Sequence, residues 1–221
     1  MSTAPRATTT ATVHALEDGE SSESGRHRAQ AATITTPDGP FTIIAADQAV
    51  LASGWTDDVA SFLPLIHASL RPALADVEVV NNAVVDGADR GRRSTVMQSA
   101  VMQSAVMQSA IRAVNAFYAG DPSELAQVPV AQKSGPYRQL AWDILRTVVV
   151  GETVTYTEYA EMTGNPRAAR AAASACAKNA AALFVPCHRV VRADGSAGGF
   201  RYGLEIKERL LRREAALTSV L

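Results

Sequence analysis

Cysteine is nearly absent from this chain: 221 residues contain two, Cys176 and Cys187, and none earlier. So few thiols exclude a disulfide scaffold and a cysteine-rich zinc site, and no metal is expected. No apolar run approaches the roughly 18 residues that a membrane span requires. The N-terminus has no apolar core of the kind that directs secretion. A cytoplasmic chain without a membrane partner is the expectation, and reducing conditions there suit a free reactive thiol. Net charge is close to absent too, at −1, so nothing global announces nucleic acid. Its distribution says more. Ser134 to Leu221 hold twelve Lys/Arg against eight Asp/Glu, whereas residues 1–133 hold nine against fourteen. A basic half joined to an acidic half fits a nucleic-acid-binding domain with a non-binding partner domain.

At 47% the apolar residues suffice for a real core. Residues 1–30 are Ala/Thr/Ser-rich and then acidic around Glu17 to Ser24, which predicts a disordered tail. Folded structure is predicted from 31 to 120 as a small α+β unit. Thr33–Thr36, the Pro37–Pro40 turn and Phe41–Ile44 read as strand, turn, strand. A third strand over Ala49–Trp55, a short helix over Val59–Leu70 and a strand over Val77–Val80 follow.

Val-Met-Gln-Ser-Ala then occurs three times in succession, at 96–100, 101–105 and 106–110. This reads as a duplication inside a helix that starts at Thr95, with Gln98 completing a capping box, and stops at Gly120. A period of five rotates each copy by about 140°, so Val96, Val101 and Val106 cannot share a face. Only Val106, Ile111, Val114, Phe117 and Tyr118 keep an apolar stripe. Residues 121–136, with Pro122, Pro129, Gly135 and Pro136, read as an interdomain linker.

The C-terminal domain, 137–221, opens with a helix over Tyr137–Leu145. A short helix from Thr157, its expected cap, to Met162 is followed by the turn Thr163–Pro166. A second helix then runs to about Lys178, giving a helix–turn–helix pattern. Its Ala-rich sequence with single Arg residues also suits a plain helix packed on one side.

Phe184 to Val191 is the most informative stretch. A strand-like run of Phe and Val is built for burial, yet it carries a thiol, an imidazole and a guanidinium. Taken alone, Cys187 could be an inert buried thiol or a nucleophile whose proton His188 removes. Alternate strand side chains point oppositely, so the pair meets only where the backbone turns, as Pro186 would favour.

Pro186-Cys187-His188-Arg189-Val190 resembles the active-site signature of the O6-alkylguanine-DNA alkyltransferases, the methylated-DNA–protein-cysteine methyltransferases. Asn165-Pro166-Arg167-Ala168-Ala169-Arg170 before it, and Gly203-Leu204 and Leu210-Leu211-Arg212-Arg213-Glu214 after it, extend the resemblance from about Tyr137 to Ala215. The chain is most similar to the bacterial alkyltransferase domains. The resemblance implies an α+β protein: a ribonuclease-H-like N-terminal domain, then a mostly helical domain holding the helix–turn–helix and the active-site cysteine. The zinc site or four-cysteine module of some relatives is excluded by the cysteine count.

What the resemblance implies for function is direct-reversal DNA repair. Cys187 would irreversibly take a methyl or alkyl group from O6 of guanine, and from O4 of thymine, in one turnover. His188 would act as base, through a bridging water, with Glu214 orienting it. Tyr156 would crowd the phosphate and Arg170 would fill the gap left by a flipped nucleotide, with Asn165, Arg167, Ala169 and Ser174 also facing DNA. Asn179 would be the hinge between recognition helix and active site, and Val190, Gly198, Arg201 and Tyr202 would line the base pocket. No cofactor is implied, the partner is double-stranded DNA containing O6-alkylguanine, and the chain would be a monomer. A non-catalytic alkyl-DNA binder would lack the nucleophile, and a thiol hydrolase would need an acyl substrate.

Overall fold

The computed structural model describes residues 28–80 and 104–218. Strand β1 (Ala29–Thr36) pairs antiparallel with β2 (Gly39–Ala45), register Thr36 to Gly39, across a tight turn. Gly39 has φ +111°, a conformation only glycine adopts without strain. β2 pairs antiparallel with β3 (Val50–Gly54), and β4 (Val77–Val79) lies parallel to β1, giving the order β3-β2-β1-β4. Neighbouring side chains leave opposite faces of a strand, and here both faces are buried. Ile43 faces helix α1 (Ala105–Tyr118), while Ile44 joins Leu51, Phe62 and Ile66 on the other side. The predicted helix over 59–70 is a shorter 3-10 segment, Val59–Leu65, interrupted by Pro64, which has no backbone N–H to donate.

Helix α1 buries Met107, Ala110, Ile111, Val114 and Phe117, and Ser104 caps it by accepting from the Met107 amide at 3.2 Å. Ser104 has extended backbone (φ −60°, ψ 153°), so the expected unbroken helix from Thr95 does not exist. Thr95, Gln98 and the first copy of the repeat lie outside the described residues. The third copy forms the first turns of α1.

Segment 121–136 packs as well as connects. Leu125 and Val128 are buried, and residues 129–131 add to the free edge of β3 through Val50 N to Pro129 O and Ala131 N to Val50 O, both 2.9 Å. Further along the same edge, Ser53 N donates to Ala180 O at 2.9 Å and Ala182 N donates to Ser53 O at 3.0 Å. One apolar cluster therefore runs from Ile34 and Phe41 through Trp142 and Leu145 to Val185 and Leu210.

Helix α2 (Pro136–Leu145) buries Trp142, whose indole N–H reaches Ala175 O. Strand β5 (Val154–Thr155) pairs in parallel with β6 (Val190–Val191). Helix α3 (Tyr156–Met162) is capped by Thr155 and not by Thr157. The Glu158 carboxylate accepts from the Thr155 amide, completing a capping box that fixes the start two residues earlier. A 3-10 turn at Pro166–Ala168 leads into α4 (Ala169–Ala177). Helix α5 (Leu204–Thr218) closes the chain, burying Lys207, Leu210 and Glu214 at helical spacing. The whole is an α+β fold. Among the described residues no helix is long and apolar enough to cross a membrane.

Candidate active site

The strand-like stretch around Cys187 breaks at Leu183, the one non-glycine residue described with positive φ (+75°). Cys187–Arg189 then forms a 3-10 turn before β6 resumes. This turn replaces the alternation of a strand and lets consecutive residues serve one site. Asn179, two residues beyond α4, fixes the turn: its amide donates to Val185 O at 2.8 Å and to Cys187 Sγ at 3.2 Å. Gln132 fixes Asn179 in turn. It donates to Asn179 Oδ1 at 3.0 Å while accepting from Ala180 N at 2.8 Å. Nothing local in the sequence marks Gln132, because the contact spans 47 positions.

His188 is fully buried, with Nε2 2.8 Å from Glu214 Oε1. Burial alone would raise the Glu214 carboxyl, but the hydrogen bonds of His188 and Arg189, the Arg189 charge and, at the low pH where the carboxyl titrates, the charge of protonated His188 outweigh it and hold it at about 2. The group is therefore an acceptor only, so the imidazole places its proton on Nε2. Burial lowers the His188 pKa against the opposing pull of Glu214, so the ring rests neutral. Its basic nitrogen is then Nδ1, which is buried and has no hydrogen-bond partner among the described residues.

Burial also pushes the Cys187 thiol up, opposed by the Asn179 N–H and by the charge of Lys207. Lys207 is buried and donates from Nζ to Val190 O at 2.6 Å. Burial lowers its pKa, while the proximity of Cys187 and Cys176 raises it. The resting site thus holds a protonated thiol, a neutral imidazole and an ionised carboxylate. That set suits deprotonation at the moment of reaction.

Cys187 opens on a cavity of about 490 Å³ lined also by Tyr156, Asn179, Phe200, Arg201, Tyr202 and the α4 residues Ala173, Cys176 and Ala177. Arg201 donates to Ala177 O at 2.8 Å, tying the 199–202 loop to the end of α4. Gly198 (φ +66°) sits where a Cβ would come 3.3 Å from the Tyr156 hydroxyl, so it lets that ring close on the loop. Of the four expected pocket residues, Arg201 and Tyr202 line the cavity and Val190 and Gly198 do not. Val190 is buried in the core and its carbonyl accepts from Lys207, while Gly198 backs onto the Tyr156 ring.

Asn165, Arg167 and Arg170 are exposed, and Ala169 is half-buried at the start of α4. Arg170 makes no hydrogen bond or ion pair with the described residues. Ser174 lies further along the helix, its hydroxyl 3.5 Å from Arg138 Nη2. Sequence reasoning missed Lys207, although its spacing of three from Leu210 and seven from Glu214 marks the buried face of α5.

Residues 136–216 match the family model described as the 6-O-methylguanine DNA methyltransferase DNA-binding domain. The chain is 49% identical over 88 residues to the bifunctional transcriptional activator/DNA repair enzyme Ada of Escherichia coli, covering 40% of this chain and 25% of that protein. It is 39% identical over 105 residues to the methylated-DNA–protein-cysteine methyltransferase of Methanosarcina acetivorans, covering 48% of this chain and 67% of that protein. The crystal structure of Mycobacterium tuberculosis O6-methylguanine methyltransferase superposes with a TM-score of 0.60 at 24% identity, over 85% of this chain and 93% of that one. The chain thus spans a quarter of the length of the Escherichia coli relative and two thirds of the archaeal one.

Proposed function

The chain belongs to the methylated-DNA–protein-cysteine methyltransferase family, and from that membership we propose that it repairs DNA by moving an alkyl group from O6 of guanine to Cys187. The observation that carries the proposal is the ordered set Glu214, His188 and Cys187, with Asn179 directed at the sulfur. His188 Nδ1 takes the thiol proton through a bridging water, and Glu214 offsets the positive charge that develops on the ring. The thiolate attacks the alkyl carbon in line. An S–C bond forms, the C–O6 bond breaks, and the released guanine takes up, through water, the proton that the thiol gave to His188. The product is a thioether with no acyl centre for water to attack, so each chain acts once. O4 of thymine offers the same kind of alkyl carbon.

An O6 adduct inside duplex DNA is out of reach of a buried thiol, so the nucleotide must leave the stack, at a cost of a few kcal/mol that other contacts offset. We read α3, the turn at 163–168 and α4 as the helix–turn–helix that supplies those contacts. Asn165, Arg167, Ala169 and Ser174 would face the DNA, Arg170 would occupy the vacated stack and Tyr156 would press on the phosphate. The strand order β3-β2-β1-β4, with β4 parallel to β1, supports a ribonuclease-H-like N-terminal half. The working species is a cytoplasmic monomer acting on double-stranded DNA. Incubation with duplex DNA carrying O6-methylguanine, followed by intact mass, is the test. One added methyl per chain is expected, and repeated turnover or an unmodified protein rejects the proposal.

A further inference from the structure

One wall of the cavity beside Cys187 is positioned from the other half of the chain. Tyr202 lines the cavity, yet its ring does not stand free. Its hydroxyl donates to Ser53 O at 3.2 Å. The ring lies edge-on to Trp55, at 5.6 Å, and to Phe200, at 5.5 Å. Against it sits Gly54, where a Cβ would fall 2.0 Å from both Cζ and Oη of Tyr202. Gly54 has no left-handed backbone to explain it, so the close approach of the ring is what requires glycine there.

Trp55 is fixed independently. Its indole N–H donates to the Tyr118 hydroxyl at 2.9 Å, which donates to Asp38 at 2.9 Å, and Arg209 of α5 pairs with the same carboxylate. Phe41 packs edge-on against the indole at 4.9 Å. The seat for Tyr202 is therefore rigid and belongs to the N-terminal sheet.

We infer that Gly54 and Trp55 are specificity-determining residues: they seat Tyr202 against the end of β3 and so set how large an adduct the cavity beside Cys187 admits. The inference rests on the alkyl-transfer reading and deepens it. The ring stands between β3 and the cavity, so whatever displaces it from the strand moves it into the space a large adduct needs. A methyl group needs little of that space, whereas a benzyl group needs much. Two residues at the end of β3, distant in sequence from the reactive thiol, would thereby govern selectivity. A glycine kept only for packing would change stability and leave the ratio of substrates alone.

The test compares transfer rates from duplex DNA carrying O6-methylguanine and O6-benzylguanine, using the full chain, Gly54→Ala, Tyr202→Gly and the double variant. Gly54→Ala is expected to lower the benzyl-to-methyl ratio about tenfold, from the ordinary cost of overpacking. Adding Tyr202→Gly should bring the ratio to that of Tyr202→Gly alone. An unchanged ratio in Gly54→Ala, or a double variant that keeps the low ratio, overturns the inference. If Gly54→Ala does not fold, Tyr202→Phe replaces it. That ring has lost its tie to Ser53, and the ratio should fall about threefold, in keeping with one lost hydrogen bond; no change overturns the inference. A wild-type chain that takes up no methyl from DNA would reject alkyl transfer itself, and the inference with it. That result is distinct from a labelled chain with an unmoved ratio.

Discussion

Arg189 holds Glu214 with two donors, Nε to Oε2 at 2.8 Å and Nη2 to Oε1 at 2.9 Å, so the carboxylate that orients His188 is itself gripped by the next residue in the chain. The third arm of the guanidinium donates to Val148 O. Glu214→Gln would leave this buried cation without its counter-charge and the imidazole without a pure acceptor. Removing one member of a buried pair costs about 3–5 kcal/mol, and losing an oriented general base slows a reaction by about 100-fold or more. We expect Glu214→Gln and His188→Ala to slow methyl transfer on that scale while DNA affinity is kept, with only Glu214→Gln losing most of the stability stated. Rates from methylated duplex, gel-shift affinity and denaturant melts give the three numbers.

The same groups fix the response to pH. Glu214 is held near 2, below its ordinary value, so its stabilising contribution is complete above about 4.5 and is lost as pH falls toward 2. His188 is lowered from 6.5 by burial, so below that value the unfolded chain binds a proton that the folded chain refuses. Stability should therefore fall as pH drops below about 6.5, and fall again below about 4.5. The transfer rate should stay level below pH 6.5 until His188 itself titrates. A rate that halves at pH 6.5 would mean that the base is not this buried imidazole.

Two thiols share the cavity, and burial pushes both upward. They differ in what meets the sulfur, since a side-chain N–H, from Asn179, points at Cys187 and, among the described residues, none points at Cys176. One alkyl group per chain, mapped to Cys187, is the expected outcome. Cys187→Ala should accept none and Cys176→Ala should react at the wild-type rate. Label on the Cys176 peptide in the wild type would reverse the assignment.

Much of this site was legible in the sequence, for reasons that differ by residue. Cys187 and His188 stood out as reactive groups inside an apolar run, and Glu214 followed from resemblance. The turn that brings the first two into one site was foreshadowed by Pro186. Thr155 was missed as a cap because Thr157 also precedes a helical pattern, and only the return bond from Glu158 decides between them. Gln132, Gly54 and Trp55 were illegible in principle. Their roles rest on contacts across 47 positions to Asn179 and across about 150 to Tyr202, which no local pattern encodes. The linker reading of 121–136 saw its prolines and not the docking of 129–131 onto β3 for the same reason.

Arg170 is exposed at the head of α4 and makes no bond with the described residues, so its side chain costs the fold nothing to use. If it fills the stack of a duplex from which a base has left, Arg170→Ala should slow transfer from duplex DNA far more than transfer from free O6-benzylguanine. Unpaired, unstacked bases cost a few kcal/mol, so a loss of about 100-fold on duplex is expected. Equal losses on both substrates would place Arg170 in the fold or in the chemistry and not in base extrusion.

The repeat offers a test of how much of the chain the fold requires. The three copies are identical, so deleting any one gives the same protein, in which a Val-Met-Gln-Ser-Ala still supplies the first turn of α1 and a Ser-Ala still precedes it. The Ser104 cap and the buried Met107 and Ala110 are therefore kept. Deleting two copies brings Ser94-Thr95 against Val106, so a serine still occupies the capping position. Both deletions should transfer methyl at the wild-type rate and melt within about 0.5 kcal/mol of wild type, as changes away from packed features do. Ser104→Ala, which shortens nothing, should cost about 1 kcal/mol through the lost cap. A single deletion that melts lower than Ser104→Ala would mean that the residues between Val80 and Ser104 contribute packing of their own.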